Sequence, residues 1–137
     1  MIVTDSPTEE DEKFLYQQLN NYNDQHRIRD GKRLSIYKTD TKENIYAGLT
    51  GISFLSWLQV DVLWVQESKR GNNMGSTLLA KAEEVAIERG CIGVNIETYS
   101  YQAFGFYLKQ GYKEFGCLTG YGPHTRHYLK KMLSEST

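Results

Sequence analysis

The residues best suited to chemistry lie in one stretch, QESKRGNNMGSTLL, running from Gln66 to Leu79. It joins an apolar strand pattern to an amphipathic helix pattern. Such a junction presents free backbone N–H groups and the positive end of a helix dipole, and both attract an anion. Gly71 and Gly75 let a ligand approach the backbone closely, and Lys69 and Arg70 add positive charge beside them. No GK[ST] follows the glycines, so the stretch is not a P-loop, nor is it the dinucleotide pattern GxGxxG. It reads either as a cradle for a phosphate-bearing cofactor or as a glycine-bearing surface turn. A second chemical feature lies just upstream, where Asp61 interrupts the largely apolar run WLQVDVLWV, Trp57 to Val65. A carboxylate there reads as a proton acceptor, as a counter-charge for a cationic ligand, or as a buried group held by structural hydrogen bonds. The two cysteines, Cys91 and Cys117, form no CxxC and read as small buried hydrophobes.

The elements that must position these groups follow from periodicity. Ser6, Pro7 and Glu9 spell a capping box, and Phe14, Leu15, Leu19 and Tyr22 fall on one face of a helix ending near Tyr22 or Asn23. Leu34 to Lys38 and Ile45 to Phe54 alternate as strands around the turn-rich TDTKEN and predict an antiparallel hairpin. Trp57 to Val65 follows, apolar on both faces, as expected of a central strand with layers on each side. From about Gly75 to Arg89, Leu78, Leu79, Ala82, Val85 and Ala86 form a helical stripe, which Gly90 ends. A strand from Ile92 to Thr98 comes next, and the right-handed crossover makes it parallel to the central strand. A short helix, Gln102 to Gln110, and strands near Tyr112 to Leu118 and His127 to Met132 complete the chain. The expected class is α/β of the α+β mixed kind, a mixed sheet carrying helices.

Length and charge limit the function. The chain has 137 residues, 16 basic and 17 acidic, for a formal net charge of −1, with 39% hydrophobic residues. That suits one domain spanning residues 1–137 with a genuine core, and it lacks the basic stripe of a nucleic-acid binder. No run reaches the roughly 18 apolar residues of a membrane span. The acidic start MIVTDSPTEEDEK is unlike a signal peptide, so a cytoplasmic location is expected.

The loop resembles the signature of the GNAT superfamily of N-acetyltransferases, [Q/R]-x-x-G-x-[G/A]. Here Arg70 and Gly75 match the anchoring positions, and Asn73 replaces the first motif glycine. Asparagine tolerates a positive φ better than most residues. AFGFYLKQGY, Ala103 to Tyr112, is similar to the family's A-x-x-F-Y-x-K-x-G-[F/Y]; Ser100 stands where many members carry an Asn that contacts the pantetheine arm. The order and spacing agree from about Ile45 to Leu133, and the chain looks like a small bacterial single-domain member.

The resemblance implies a mostly antiparallel sheet whose central parallel pair splays into a V, and transfer of an acetyl group from acetyl-CoA to an amine, with no metal. Arg70, Gly71, Asn72, Asn73, Met74, Gly75 and Ser76 would hold the pyrophosphate. Backbone groups of Leu63, Trp64 and Val65 would pair with the pantetheine arm like an extra strand, with Ser100 and Ala103 nearby. A backbone N–H near Leu63 would stabilise the oxyanion. Tyr107 would protonate the departing thiolate, its alternative being a tyrosine that packs its helix onto the sheet. Asp61, or Glu97 at the end of the parallel strand, would accept the amine's proton. Tyr22, Asn23, Tyr99 and His124 would border the acceptor, a small-molecule or protein amine, and Tyr101, Arg126 and His127 lie in the same segments. Small members of this family often pair, so a homodimer is possible on the resemblance. The alternative reading is a non-catalytic acyl-CoA-binding or regulatory module on the same fold.

Overall fold

The computed structural model describes residues 1–133, which form two compact units: residues 1–30, and the chain from residue 31 onward. The first holds one helix, α1 (Glu9–Asn23). It is capped differently from the sequence expectation. The helix begins at Glu9, two residues later than a Ser6 cap with Pro7 in the first turn would place it. Thr8 is the cap instead: its backbone is extended, at φ −87° and ψ 149°, and its side chain accepts from the Asp11 N–H at 3.2 Å. Glu9, Glu10, Asp11 and Glu12 then occupy the first turn, where the helix dipole favours negative charge.

The second unit contains β1 (Lys32–Thr39), β2 (Ile45–Phe54), β3 (Trp57–Val65), α2 (Met74–Glu88), β4 (Gly93–Tyr99), α3 (Phe104–Lys109), β5 (Lys113–Tyr121) and β6 (His124–Met132). The strands make one mixed sheet in the order β1-β2-β3-β4-β6-β5. Only β3 and β4 run parallel, as the crossover through α2 demands. Leu78, Leu79, Ala82 and Ala86 of α2 are buried in one cluster with Ala47, Leu49, Leu58, Val60, Val94, Ile96 and Leu129 of the sheet. At the end of α2, Gly90 takes φ +80° and Cys91 N–H reaches back to the Ala86 carbonyl at 2.9 Å, the left-handed stop anticipated from sequence. Arg89 then ties that end to the first hairpin, donating to the carbonyls of Lys32 (2.9 Å) and Arg33 (3.0 Å) and to the Ser53 hydroxyl (3.0 Å).

Three features depart from the sequence reading. β3 does not alternate along its whole length, because pairing with β2 shifts register where Thr50↔Val62 is followed by Gly51↔Val60. Asp61 is the extra residue of this bulge. Beyond it the phase inverts, so Leu63 and Val65 pack on the same core as buried Leu58 and Val60, while Val62 and Trp64 are exposed. The closing strands also run longer than expected. A tight Gly122-Pro123 turn joins them, so that β6 starts at His124, and His124 and Arg126 lie within it although the strand was expected only from His127. Finally, Cys91 is buried as expected but Cys117 is exposed, since β5 is an edge strand on which most residues face solvent.

Candidate active site

The parallel pair is joined only over its first half. Trp57↔Gly93 through Val60↔Ile96 are registered partners, and beyond Val60 the two strands separate. β4 continues to Tyr99 by pairing with β6, whereas β3 continues to Val65 against β2. The V-shaped opening has unpartnered β3 backbone along one wall. The bulge at Asp61 marks the point of divergence, as bulges beside active sites commonly do.

A cavity of about 920 Å³ fills this opening. Its lining is drawn entirely from the second unit. From the expected cofactor residues it contains Leu63, Trp64, Val65, Arg70, Gly71, Asn73, Met74, Gly75, Ser76, Ala103 and Tyr107; from the expected acid–base groups, Asp61 and Glu97. Asn72, Ser100, Tyr99 and His124 are outside the lining, and Tyr22 and Asn23 end α1 in the N-terminal unit. Ser100 is occupied elsewhere: its N–H donates to the Thr125 carbonyl at 2.9 Å and its hydroxyl accepts from the Thr125 N–H at 3.1 Å.

The loop before α2 has the geometry of an anion cradle. Gly71 has φ +87° and Asn73 φ +59°, so the asparagine adopts the left-handed conformation that its motif position calls for. No side chain caps α2, which leaves the amides of Met74, Gly75 and Ser76 at its N-terminus without helical partners. Arg70 closes one side by donating through Nε to the Val65 carbonyl at 2.9 Å. Gly75 packs closely on a side chain: a Cβ there would sit 3.2 Å from the Phe106 ring, which would have to shift by a few tenths of an ångström.

Tyr107 lines the cavity from α3 and is only 6% exposed. Burial pushes its phenol above the ordinary tyrosine value of about 10, so it remains a proton donor throughout the neutral range. The helix that carries it is short, and its start is set by polar contacts of the preceding turn. Gln102 Oε1 accepts from the Tyr99 N–H at 2.8 Å and from the buried Thr98 hydroxyl at 3.3 Å. Sequence reasoning missed Thr98, Gln102, Phe106, Lys109 and Gln110, all of which line the cavity. The latter three sit inside or beside the AFGFYLKQGY motif, whose helical spacing was the available signal.

The two acids differ sharply. Asp61 is exposed, not buried, and accepts a side-chain hydrogen bond from Gln59 Nε2 at 2.9 Å. Glu97 is engaged by the Arg126 guanidinium through both Nε (3.1 Å) and Nη2. Among the described residues no group of three or more His, Cys, Asp or Glu is placed to hold a metal ion, and no helix is long and apolar enough to cross a membrane.

A mixed sheet whose parallel pair opens above an uncapped helix N-terminus, with a buried tyrosine on the next helix, defines the acetyltransferase class of α/β proteins. The comparisons agree. Residues 2–112 match the acetyltransferase (GNAT) family. The chain is similar to a blasticidin-S acetyltransferase of Streptomyces morookaense, at 39% identity over 111 residues, 77% of this chain and 82% of that relative. Its fold superposes on a crystal structure of an acetyltransferase from Bacillus cereus with a TM-score of 0.87, at 29% identity, covering 97% of this chain and 99% of the other. An aminoglycoside 6'-N-acetyltransferase crystallised with coenzyme A shares the fold at a TM-score of 0.69 and 16% identity, over 100% and 99% of the two chains. This chain belongs to the GNAT acetyltransferase family.

Proposed function

We propose that the protein transfers the acetyl group of acetyl-CoA to a primary amine by direct attack within a ternary complex. The observation that carries this reading is the separation of β3 from β4 after Val60 and Ile96, directly above the open amides at the start of α2. A thioester arm fits that gap as an added strand, with its pyrophosphate on the amides from Gly71 to Ser76. Lys109, at the rim of the cavity, adds positive charge for the phosphates. The Leu63 N–H would stabilise the oxyanion formed on attack.

The amine nitrogen forms a bond to the acetyl carbon, and collapse of the oxyanion breaks the carbon–sulfur bond. Tyr107 supplies the proton that the departing thiolate takes up. The proton lost by the amine passes to Asp61, directly or through water. Asp61 takes this role ahead of Glu97 because Arg126 already neutralises Glu97. The named activity of the Streptomyces relative and the coenzyme in the aminoglycoside enzyme support acyl transfer from coenzyme A to an antibiotic-like amine.

Incubation with acetyl-CoA and a panel of small amines, with titration of the free thiol released, tests the reading. Thiol release that depends on both substrates is expected. Tight coenzyme binding without turnover on any amine would instead favour a non-catalytic acyl-CoA-binding module. In the Arg70→Glu protein the affinity for coenzyme A should fall at least about tenfold by calorimetry; unchanged affinity would remove the phosphate-loop assignment.

A further inference from the structure

The side-chain amide of Gln102 is held at one end and open at the other. Its Oε1 accepts from the Tyr99 N–H at 2.8 Å and from the Thr98 hydroxyl at 3.3 Å, and Thr98 is only 2% exposed. A backbone N–H can only donate, so the amide corner facing Tyr99 is oxygen and the outward corner is Nε2. The Thr98 hydroxyl agrees with this orientation: it accepts from the Ala103 N–H at 3.4 Å, which leaves its proton for Gln102. Both hydrogen bonds of the Gln102 side chain therefore go through Oε1. Among the described residues its Nε2 has no partner, although Gln102 lines the cavity. The side chain thus acts as one more peptide unit on the edge of β4 that β3 has left. Its oxygen takes the Tyr99 N–H as a neighbouring strand's carbonyl would, and its own donors continue outward.

Strand register indicates what lies opposite. The last partners of the parallel pair are Val60 and Ile96. Counted from there, with Asp61 taken up by the bulge, Leu63 and Trp64 on β3 stand about level with Thr98 and Tyr99 on β4. Leu63, Trp64 and Gln102 all line the cavity. A ligand laid along β3 as an added strand has a second edge, and that edge is turned to β4 and to the Gln102 amide. The open corner of this amide is a donor and not an acceptor, so it matches a carbonyl oxygen and has nothing to offer an ammonium.

From this arrangement we infer that Gln102 is a further coenzyme-binding residue, whose Nε2 donates to an amide carbonyl of the pantetheine arm on the edge turned away from β3. The inference rests on the acetyl-CoA reading for the identity of the arm, but it needs no turnover. It gives the arm two walls, the main chain of β3 on one side and a side-chain amide on the other.

Gln102→Glu is the discriminating substitution. Glutamate keeps nearly the same shape and an oxygen for Tyr99 and Thr98, and it puts an acceptor where the donor was. The probes are coenzyme A and 3'-phospho-ADP, which keeps the nucleotide and the pyrophosphate but lacks the arm. By calorimetry, Gln102→Glu should lower the affinity for coenzyme A at least about tenfold and leave that for 3'-phospho-ADP within about twofold. Unchanged affinity for coenzyme A overturns the inference. So does an equal loss for both probes, which would mark a charge or folding effect on the phosphate loop instead of a contact with the arm. Thiol release by a parent protein whose coenzyme affinity is indifferent to Gln102→Glu leaves acetyl transfer standing without this contact. An arm-specific loss in a protein that turns over no amine upholds the contact and overturns acetyl transfer, and a parent that does not bind coenzyme A overturns both.

Discussion

At the scale of the residue, burial treats Tyr107 and Asp61, the proposed acid and base, in opposite ways. Tyr107 is enclosed, and loss of hydration holds its proton on. Its neutral form therefore persists to higher pH than that of an exposed phenol, so its ionisation should not lower activity below about pH 10. A pH–rate profile that falls between pH 8 and 9 in the parent protein but not in Tyr107→Phe would contradict the assignment. The same Tyr107→Phe protein should lose about 100-fold in kcat, the usual worth of a positioned general acid, with KM for acetyl-CoA within about twofold of the parent. Thiol-release kinetics measure both. Asp61 is open to solvent, whereas Glu97 is paired with Arg126. The sequence placed both carboxylates correctly on β3 and β4. It could not distinguish their partners, because Arg126 is 29 residues from Glu97 and meets it only through the β4–β6 pairing.

At the scale of the element, the loop and helix that follow β3 were the most legible part of the chain, since backbone geometry there is imposed locally. Asn73 occupies the left-handed region at φ +59°, a conformation costly for any residue with a branched Cβ. Asn73→Gly should keep coenzyme A affinity within about twofold, while Asn73→Val should weaken it about tenfold by straining the cradle; calorimetric titration with coenzyme A distinguishes them. A side chain at Gly75 would press on Phe106, so this glycine serves packing between α2 and α3. The bulge in β3 was not legible. Alternation read through Asp61 predicted two apolar faces, yet the extra residue reverses the phase and sends Leu63 and Val65 inward. Nothing in WLQVDVLWV marks the position at which β2 slips by one residue, because the slip belongs to the pairing and not to either strand.

At the scale of the whole molecule, α2, α3 and β6 are bound together by a network remote from the chemistry. Tyr112 donates to Glu83 at 2.8 Å, and Lys131 donates to the other oxygen of Glu83 at 2.9 Å and to the Gln110 carbonyl at 3.0 Å. Gln110 Nε2 reaches Ser76 at 3.0 Å, which links this network to the start of α2. Burial, with the Glu83 charge beside it, raises Tyr112 far above the ordinary tyrosine value, in the same direction as Tyr107. The unfolded chain can ionise these phenols from about pH 10 while the folded one cannot, so stability is fully present below that pH and is lost as pH rises above it. Denaturant midpoints should therefore decline between pH 9.5 and 11, and Tyr112→Phe, though less stable at pH 7, should show a shallower decline. The sequence by itself determined the order of elements, the parallel crossover, the glycine-bearing loop before α2 and the placing of the two carboxylates on β3 and β4. These depend on hydrophobic period, glycine placement and chain chirality, all of which are local. Tertiary structure alone decided where β3 and β4 part and which acid Arg126 neutralises. Each of these is set by register between strands distant in sequence, and no local propensity encodes register.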